Sequence, residues 1–122
     1  MGLPGSGKTT LAVQLSKILD SDHFNADAVR QQYNDWDFST EGRRRQARRM
    51  FSLSEQSTKE YAILDFVCPL NEIQEALGVD FIIWMDTIQQ SRFQDTNLVF
   101  QAPKKYNLRI RNFDYDVNQI RI

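Results

Sequence analysis

The feature that most constrains this chain is a G-x-x-x-x-G-K-T motif within its first ten residues, MGLPGSGKTT. Glycines let successive backbone N–H groups curl around phosphate oxygens, and the helix that follows presents its positive N-terminal end to the same anion. Lys8 can reach the outer phosphates, and the Thr9 hydroxyl can ligate Mg²⁺. The motif therefore predicts a nucleoside triphosphate site formed by Gly2, Leu3, Pro4, Gly5, Ser6, Gly7, Lys8, Thr9 and Thr10.

The apolar pattern after this loop predicts an α/β fold. The expected helices have apolar residues at helical spacing, and they are residues 8–19, 27–33, 40–60, 71–78 and a last helix that begins at Asp114. The expected strands are short apolar or alternating runs, at residues 23–25, 61–67, 81–85 and 106–111. Alternating strands and helices predict a parallel sheet with helices on both faces, in a single domain that spans residues 1–122.

Composition narrows the class of protein. The 15 Lys and Arg residues against 16 Asp and Glu give a net charge of -1, so we expect no general attraction to nucleic acid or to a membrane surface. A single cysteine, Cys68, excludes an internal disulfide and a cysteine-based metal site. The chain has neither a signal-like start nor an apolar stretch of membrane-spanning length. We therefore expect a cytoplasmic protein.

The segment Asn25-Ala-Asp-Ala-Val-Arg30 follows a short expected strand, close to where a transferred phosphate would lie. A carboxylate at Asp27 could take the proton from an attacking hydroxyl, and Arg30 could hold an anionic substrate. In the alternative interpretation Asp27 caps a helix and Arg30 is exposed. Because the phosphate loop lies upstream, we favour the catalytic interpretation.

Residues 43–49, RRRQARR, hold five arginines. Most charge runs are solvated helical faces, which is the simplest explanation. No Asp or Glu lies among these arginines, however, so pairs between neighbouring helical residues cannot neutralise them. We therefore predict an unpaired cluster that binds a phosphate- or sulfate-bearing ligand, or a polynucleotide backbone.

Six segments, in order along nearly the whole chain, resemble the adenylylsulfate kinase family: GLPGSGKTTLA, NADAVR, FSTEGRRRQARRM, VCPL, WMDT and FQAPKKYNL. The resemblance implies a three-layer P-loop kinase fold. It also implies a cytoplasmic enzyme of sulfate assimilation that uses ATP and Mg²⁺. Such an enzyme moves the γ-phosphate of ATP to the 3′-hydroxyl of adenylylsulfate.

The resemblance also implies roles for individual residues. Lys8 and Asp27 would be catalytic, and Thr9 would hold the metal ion. Phe38 would stack on the adenine of adenylylsulfate, while Arg43 would hold its phosphosulfate group. The residues implied on the acceptor side are Asp27, Arg30, Phe38, Arg43, Gln46, Phe66 and Val67. Arg92, at the start of a shortened lid, and Pro103, near the ATP base, are implied on the donor side.

The opening of the chain departs from the family, which places an apolar strand before the phosphate loop, in the middle of the sheet. Without that strand, the strands near Ile63 and Ile83 would face an empty slot, and we expect nucleotide binding to be weakened. Three arrangements are open. The printed sequence begins after the strand, another segment or a second copy fills the slot, or the flanking strands close up and displace the loop.

Two other functions remain open. Polynucleotide 5′-kinases resemble this chain at Asn25, Asp27 and Arg30, and the arginine cluster suits a phosphate backbone. The segments at Pro69 and residues 100–103 favour the adenylylsulfate kinase family instead, so we do not expect a nucleic acid substrate. A non-catalytic nucleotide-binding protein is the third alternative. A small-molecule acceptor is the expected partner, with a homodimer left open.

Overall fold

Helices and strands alternate along the chain in nearly the order that the apolar pattern predicts. The computed structural model describes all of residues 1–122. Its elements are α1 (Lys8–Ile18), β1 (Ser21–Asn25), α2 (Ala26–Tyr33), α3 (Thr40–Gln56), β2 (Tyr61–Asp65), α4 (Asn71–Ala76), β3 (Ile83–Met85), α5 (Gln94–Val99), β4 (Leu108–Ile110) and a 3₁₀ turn (Val117–Gln119). The longest helix, α3, has 17 residues and five arginines, and no helix is long and apolar enough to cross a membrane.

The expected helix from Asp114 is wrong. Only the 3₁₀ turn forms there, and the Asp116 carboxylate accepts the backbone N–H of Asn118 at 3.0 Å at its start. A side chain that satisfies a backbone donor in this way can replace the first turn of a helix.

All four strands are parallel, and they form two pairs. β1 pairs with β2 from Ser21–Tyr61 to Asn25–Asp65, and β3 pairs with β4. Two separate apolar clusters pack around the strands: Leu11, Leu15, Met85 and Ile110 in one, and Ala47, Cys68, Ile73 and Leu77 in the other. The predicted class, an α/β P-loop fold with parallel strands between helices, is confirmed.

The two pairs of strands do not join directly, because β2 and β3 make no ladder with each other. The Met1 amine donates to the Ile83 carbonyl at 2.8 Å, and the Met1 carbonyl accepts the Met85 N–H at 2.8 Å. Beyond Met1, the space between β2 and β3 is a mainly apolar cavity of about 510 Å³, called the slot below. The expected slot is present, and the alternative in which the flanking strands close up is wrong.

The Met1 amine lies at the mouth of the slot, and this position predicts a pH dependence of stability. Burial lowers its pKa from 8.0 to about 6. The unfolded chain therefore binds more protons than the folded chain between pH 6 and 8, so the free energy of unfolding should rise across that interval. We expect a rise of about 1–2 kcal/mol, since the residue is only partly shielded from water.

Urea titrations at pH 6 and pH 8 measure this rise. The N-terminally acetylated chain is the control, because acetylation removes the titrating group and leaves the other groups in place. The free energy of unfolding should rise more between pH 6 and pH 8 for the free chain than for the acetylated one. The difference between the two rises is the contribution of the Met1 amine. Identical pH profiles for the free and acetylated chains would contradict the assignment.

Candidate active site

The phosphate loop keeps its curved form through contacts with β3. Gly2 bridges to Met85 in parallel fashion, and a Cβ at Gly2 would lie 2.5 Å from the Met85 carbonyl oxygen. Gly7 has φ 95° and immediately precedes α1, a left-handed conformation that favours glycine. Ser6 is fully buried, and its carbonyl accepts the Thr87 hydroxyl at 2.7 Å. The loop is therefore held at the carboxyl end of β3 and leads directly into a helix.

Lys8 lies across the mouth of this loop. Its ammonium donates to the Leu3 carbonyl at 3.0 Å. Burial lowers the pKa of Lys8, while the nearby carboxylates of Asp65 and Asp27 raise it in opposition. The ammonium thus stands between the loop and two acidic side chains, a position suited to an anion that enters the loop.

Asp65, at the end of β2, is a functional candidate that the sequence reasoning missed. It is buried, and one carboxylate oxygen, Oδ2, accepts the Thr9 hydroxyl at 2.7 Å and the Asn25 amide at 3.0 Å. His23 Nε2 lies 3.1 Å from the same oxygen. The sequence did contain a signal for this role, because an aspartate ends the apolar run YAILD. P-loop enzymes use such an aspartate, together with the Ser or Thr of the loop, to hold Mg²⁺.

Asp27 lies in the first turn of α2 and is exposed to the cavity. The side chain of Asn25 accepts the Ala28 N–H at 3.0 Å and caps the helix. The alternative interpretation, in which Asp27 is that cap, is therefore wrong. The carboxylate of Asp27 is left to face the same cavity as Lys8.

Arg30 and Arg43 lie close to the half-exposed ring of Phe38, with their guanidinium carbons 4.3 Å and 5.5 Å from its centroid. Arg30 is buried rather than exposed, and it donates to the carbonyls of Asp35 and Asp37 at 3.0 and 3.1 Å. Burial lowers the pKa of both arginines. Two partly desolvated cations on one wall of a cavity favour binding of an anion there.

The prediction that the arginine cluster is unpaired is wrong for four of its five members, whose partners lie outside the run 43–49. The ion pairs are Arg44–Glu72 at 2.7 Å, Arg45–Asp35 at 2.8 Å, Arg48–Glu41 at 3.2 Å and Arg49–Asp35 at 3.0 Å. Arg43 instead donates to the carbonyl of Phe38 at 2.9 Å and lines the cavity. Most of the cluster therefore ties α3 to its neighbours, and one arginine faces the site.

Gln46 is also buried at the cavity wall. Its amide donates to the Ala26 carbonyl at 3.0 Å, and its side-chain oxygen accepts Arg49 at 2.9 Å. The bond to Ala26 holds α3 against the start of α2, and the bond to Arg49 fixes the Gln46 side chain within α3. Gln46 therefore positions the segment that carries Asp27.

One cavity of about 1,260 Å³ collects most of the predicted site residues. Those that line it are Pro4, Gly5, Lys8, Thr9, Asp27, Arg30, Phe38, Arg43, Gln46, Phe66, Val67 and Arg92. Three further loop residues, Gly2, Leu3 and Ser6, are buried and do not line this cavity. Gly7 and Thr10 line a smaller cavity on the other side of the loop. Arg92 therefore shares one cavity with the acceptor-side residues and with Lys8 and Thr9 of the loop.

Pro103 is not brought to the loop. It is buried, and it lines none of the three cavities that Lys8 of the phosphate loop lines. The segment before it is tied to the start of α4: the Gln101 N–H donates to the Pro69 carbonyl at 2.6 Å, and the Gln101 side chain accepts the Asn71 N–H at 2.8 Å. These bonds hold residues 100–103 against the start of α4.

Donors for a metal ion are present around Thr9. The hydroxyl of Thr9 and the carboxylate of Asp65 are oxygen ligands, which Mg²⁺ prefers. No group of three or more His, Cys, Asp and Glu side chains is close enough to hold a metal by itself. This set fits Mg²⁺, which commonly binds through one or two protein oxygens together with substrate phosphates.

Comparison with known proteins places these residues in a family. The family model described as adenylylsulphate kinase matches residues 1–87. The structure of Mycobacterium tuberculosis APS kinase CysC in complex with AMPPNP and APS is 22% identical, with a TM-score of 0.71, and the match covers 98% of this chain and 88% of that chain. A cysteine-to-alanine mutant of that enzyme is 24% identical, with a TM-score of 0.67 and coverage of 98% and 86%. No curated protein sequence matches significantly.

Proposed function

The chain belongs to the adenylylsulphate kinase family, and on that premise we propose that it transfers the γ-phosphoryl group of ATP to the 3′-hydroxyl of adenylylsulfate. The observation that carries this proposal is the shared cavity, in which Lys8 and Thr9 face Asp27, Arg30 and Arg43. A phosphate donor on the loop and an anionic acceptor at the arginines would meet there. The neighbouring CysC structure, solved with AMPPNP and APS, supports the same pair of ligands.

On the donor side, the amides of the phosphate loop would bind the β- and γ-phosphates. Lys8 would give up its bond to the Leu3 carbonyl and stabilise the charge that develops on the moving phosphoryl group. Thr9 would hold Mg²⁺, with Asp65 beside it. Bound Mg²⁺ neutralises phosphate charge and orients the phosphates. Asp65 and Asn25 would fix the rotamer of Thr9 through their shared hydrogen bonds.

On the acceptor side, Arg30 and Arg43 would bind the phosphosulfate group, and the ring of Phe38 would pack on the adenine. Asp27 would accept the proton of the 3′-hydroxyl as that oxygen attacks the γ-phosphorus, or orient the hydroxyl for attack. Phosphoryl transfer depends mainly on positioning and electrostatic stabilisation, so the rigid support of these side chains matters. The ion pairs of Asp35 with Arg45 and Arg49 supply that support.

Replacing Asp65 with asparagine is expected to weaken the affinity of the active site for Mg²⁺. The amide keeps the size of the carboxylate but loses its negative charge beside the Thr9 hydroxyl. Changes to groups that support a metal site commonly cost about 10–100-fold in metal affinity or activity. A titration of initial rate against Mg²⁺ at saturating ATP measures the half-saturating concentration, which should rise by about this factor.

A matched control for this change is Asp22→Asn, because Asp22 lies on β1 and accepts the Ser57 hydroxyl at 2.7 Å, away from the loop. That variant should keep the original Mg²⁺ dependence. An Asp65→Asn chain that folds and titrates with Mg²⁺ as the unsubstituted chain does would remove Asp65 from the metal site.

Transfer of labelled γ-phosphate from ATP to adenylylsulfate tests the proposed function directly. The expected product is 3′-phosphoadenylylsulfate, formed only with adenylylsulfate present. A parallel reaction with an oligonucleotide acceptor tests the polynucleotide alternative. If that alternative holds, oligonucleotide binding should fall steeply with added salt. The pairing of four arginines argues against that alternative. Binding of ATP without transfer to either acceptor would support the non-catalytic alternative.

A further inference from the structure

A second cavity opens on the other side of the phosphate loop. It measures about 550 Å³, and it shares Gly5, Lys8 and Thr9 with the large cavity. Its own walls are formed by Gly7, Thr10, Gln14, Phe113 and Tyr115. The loop thus separates a charged cavity that contains Asp27 from a smaller one that carries two aromatic rings.

Phosphoryl transfer assigns different ligands to these two sides. The attacking and leaving oxygens lie roughly in line on opposite sides of the transferred phosphorus. The acceptor would attack from the side of Asp27, so the remainder of the donor must extend from the loop in the other direction. The direction of transfer therefore leads the donor's nucleoside past the start of α1, toward the second cavity.

We propose that Phe113 stacks on the base of the nucleoside triphosphate donor, with Tyr115 behind it, in this second cavity. This inference rests on the proposed function, because it takes the side of the acceptor from it. It names a base site other than the one that the resemblance implies near Pro103, on a donor side that was also expected to include Arg92. Arg92 lines the opposite cavity, and Pro103 is buried away from the loop.

The geometry of Phe113 suits this role. Its side chain is 59% exposed, and its ring carbon Cε1 would lie 3.4 Å from a Cβ placed at Gly7. Phe113 follows the carboxyl end of β4, the same end of the strands at which the loop lies. An exposed aromatic face beside a phosphate loop offers a stacking surface, and base–aromatic stacking tolerates any base.

Tyr115 gives the platform its support. It is half-buried and packs against the apolar cluster that contains Leu11 and Leu15. It therefore anchors the segment after β4 to α1, the helix that begins at the loop. The ring of Phe113 is held close to the path of the donor without being part of the core itself.

Phe113→Ala tests the inference through binding rather than activity. Calorimetry should show that the affinity for ATP falls by about 5–100-fold, the range for loss of one aromatic–base stack. The affinity for inorganic tripolyphosphate should stay unchanged, because that ligand has phosphates and no base. Phe113→Tyr should restore ATP binding, since it restores a ring of nearly the same size.

Tyr106→Ala is the matched control. Tyr106 is also a partly exposed aromatic, but it precedes β4 and so lies at the other end of that strand, where it packs on Trp84. The Tyr106→Ala chain should bind ATP and tripolyphosphate as the unsubstituted chain does. Unchanged ATP affinity in Phe113→Ala, or equal losses for ATP and tripolyphosphate, would overturn the base site alone. An unsubstituted chain that binds neither ligand would overturn the proposed function and the base site together.

Discussion

Replacing Asp27 with asparagine is expected to slow phosphoryl transfer to adenylylsulfate by about 10²–10⁴-fold, the usual contribution of a positioned general base. Asparagine keeps the shape of the side chain but cannot accept the proton of the attacking hydroxyl. The helix should be unaffected, because Asn25 caps α2 and Asp27 is exposed to the cavity. The affinity for ATP should stay the same, because ATP would bind at the phosphate loop and Asp27 lies on the acceptor side.

Single-turnover transfer of labelled phosphate measures the chemical step, and calorimetry with ATP measures binding. Asp80→Asn is a suitable control, because Asp80 is exposed before β3 and does not line the large cavity. A slow Asp27→Asn chain that also loses ATP binding would point to a structural role. Full activity in that variant would assign proton transfer to another group and leave Asp27 without a catalytic role.

The phosphate loop and the order of the elements could be predicted because both are encoded locally. The spacing of Gly2, Gly7 and Lys8 determines the loop, and residues 8–19 carry the period of a helix. Local signals do not always decide the packing, however. Ile18 belongs to this apolar period but is 51% exposed, because α1 ends there and the chain turns into β1.

The charges of the site could not be predicted in the same way, because their partners are distant in sequence. Arg44 pairs with Glu72, which is 28 residues away, and Asp65 accepts from Thr9, which is 56 residues away. A sequence pattern that looks for neutralising charges one helical turn away finds Glu41, which lies 3.6 Å from Arg44, but it finds neither of these distant contacts. The parallel register of Asn25 with Asp65 is what brings the acid to the loop, and register emerges only in the folded sheet.

Residues 88–122 fall outside the family match, and the structure adds most there. The resemblance placed the ATP base by analogy at residues 100–103, but hydrogen bonds to Pro69 and Asn71 hold that segment against α4. The aromatic ring next to Gly7 is instead that of Phe113, from the segment after β4. The sequence of residues 112–115 does not by itself indicate a binding surface. The segment lies beside the loop only because β4 pairs with β3, the strand that holds the loop.

A segment of about five apolar residues, fused to the Met1 nitrogen, is expected to raise the free energy of unfolding by about 2–5 kcal/mol. Met1 already bonds to Ile83 and Met85 as a parallel strand residue would, so its pairing fixes the register of any residues before it. A β-branched segment would bury apolar surface in the slot and pair with the free edges of β2 and β3. The backbone entropy of ordering, about 1–2 kcal/mol per residue, limits the gain.

The fusion also replaces the partly buried ammonium of Met1 with a neutral amide, so a control must separate the two effects. A segment of equal length made of Ser and Asp removes the same charge but cannot fill an apolar slot. The urea midpoint should rise strongly for the apolar fusion and little for the polar one. ATP affinity should rise with it, because Met1 and Gly2 hold the loop to β3 through one short bridge, and a full strand would hold it more rigidly. Equal midpoints for the two fusions, or an apolar fusion that dimerises without gaining stability, would show that the slot does not take a strand in this register.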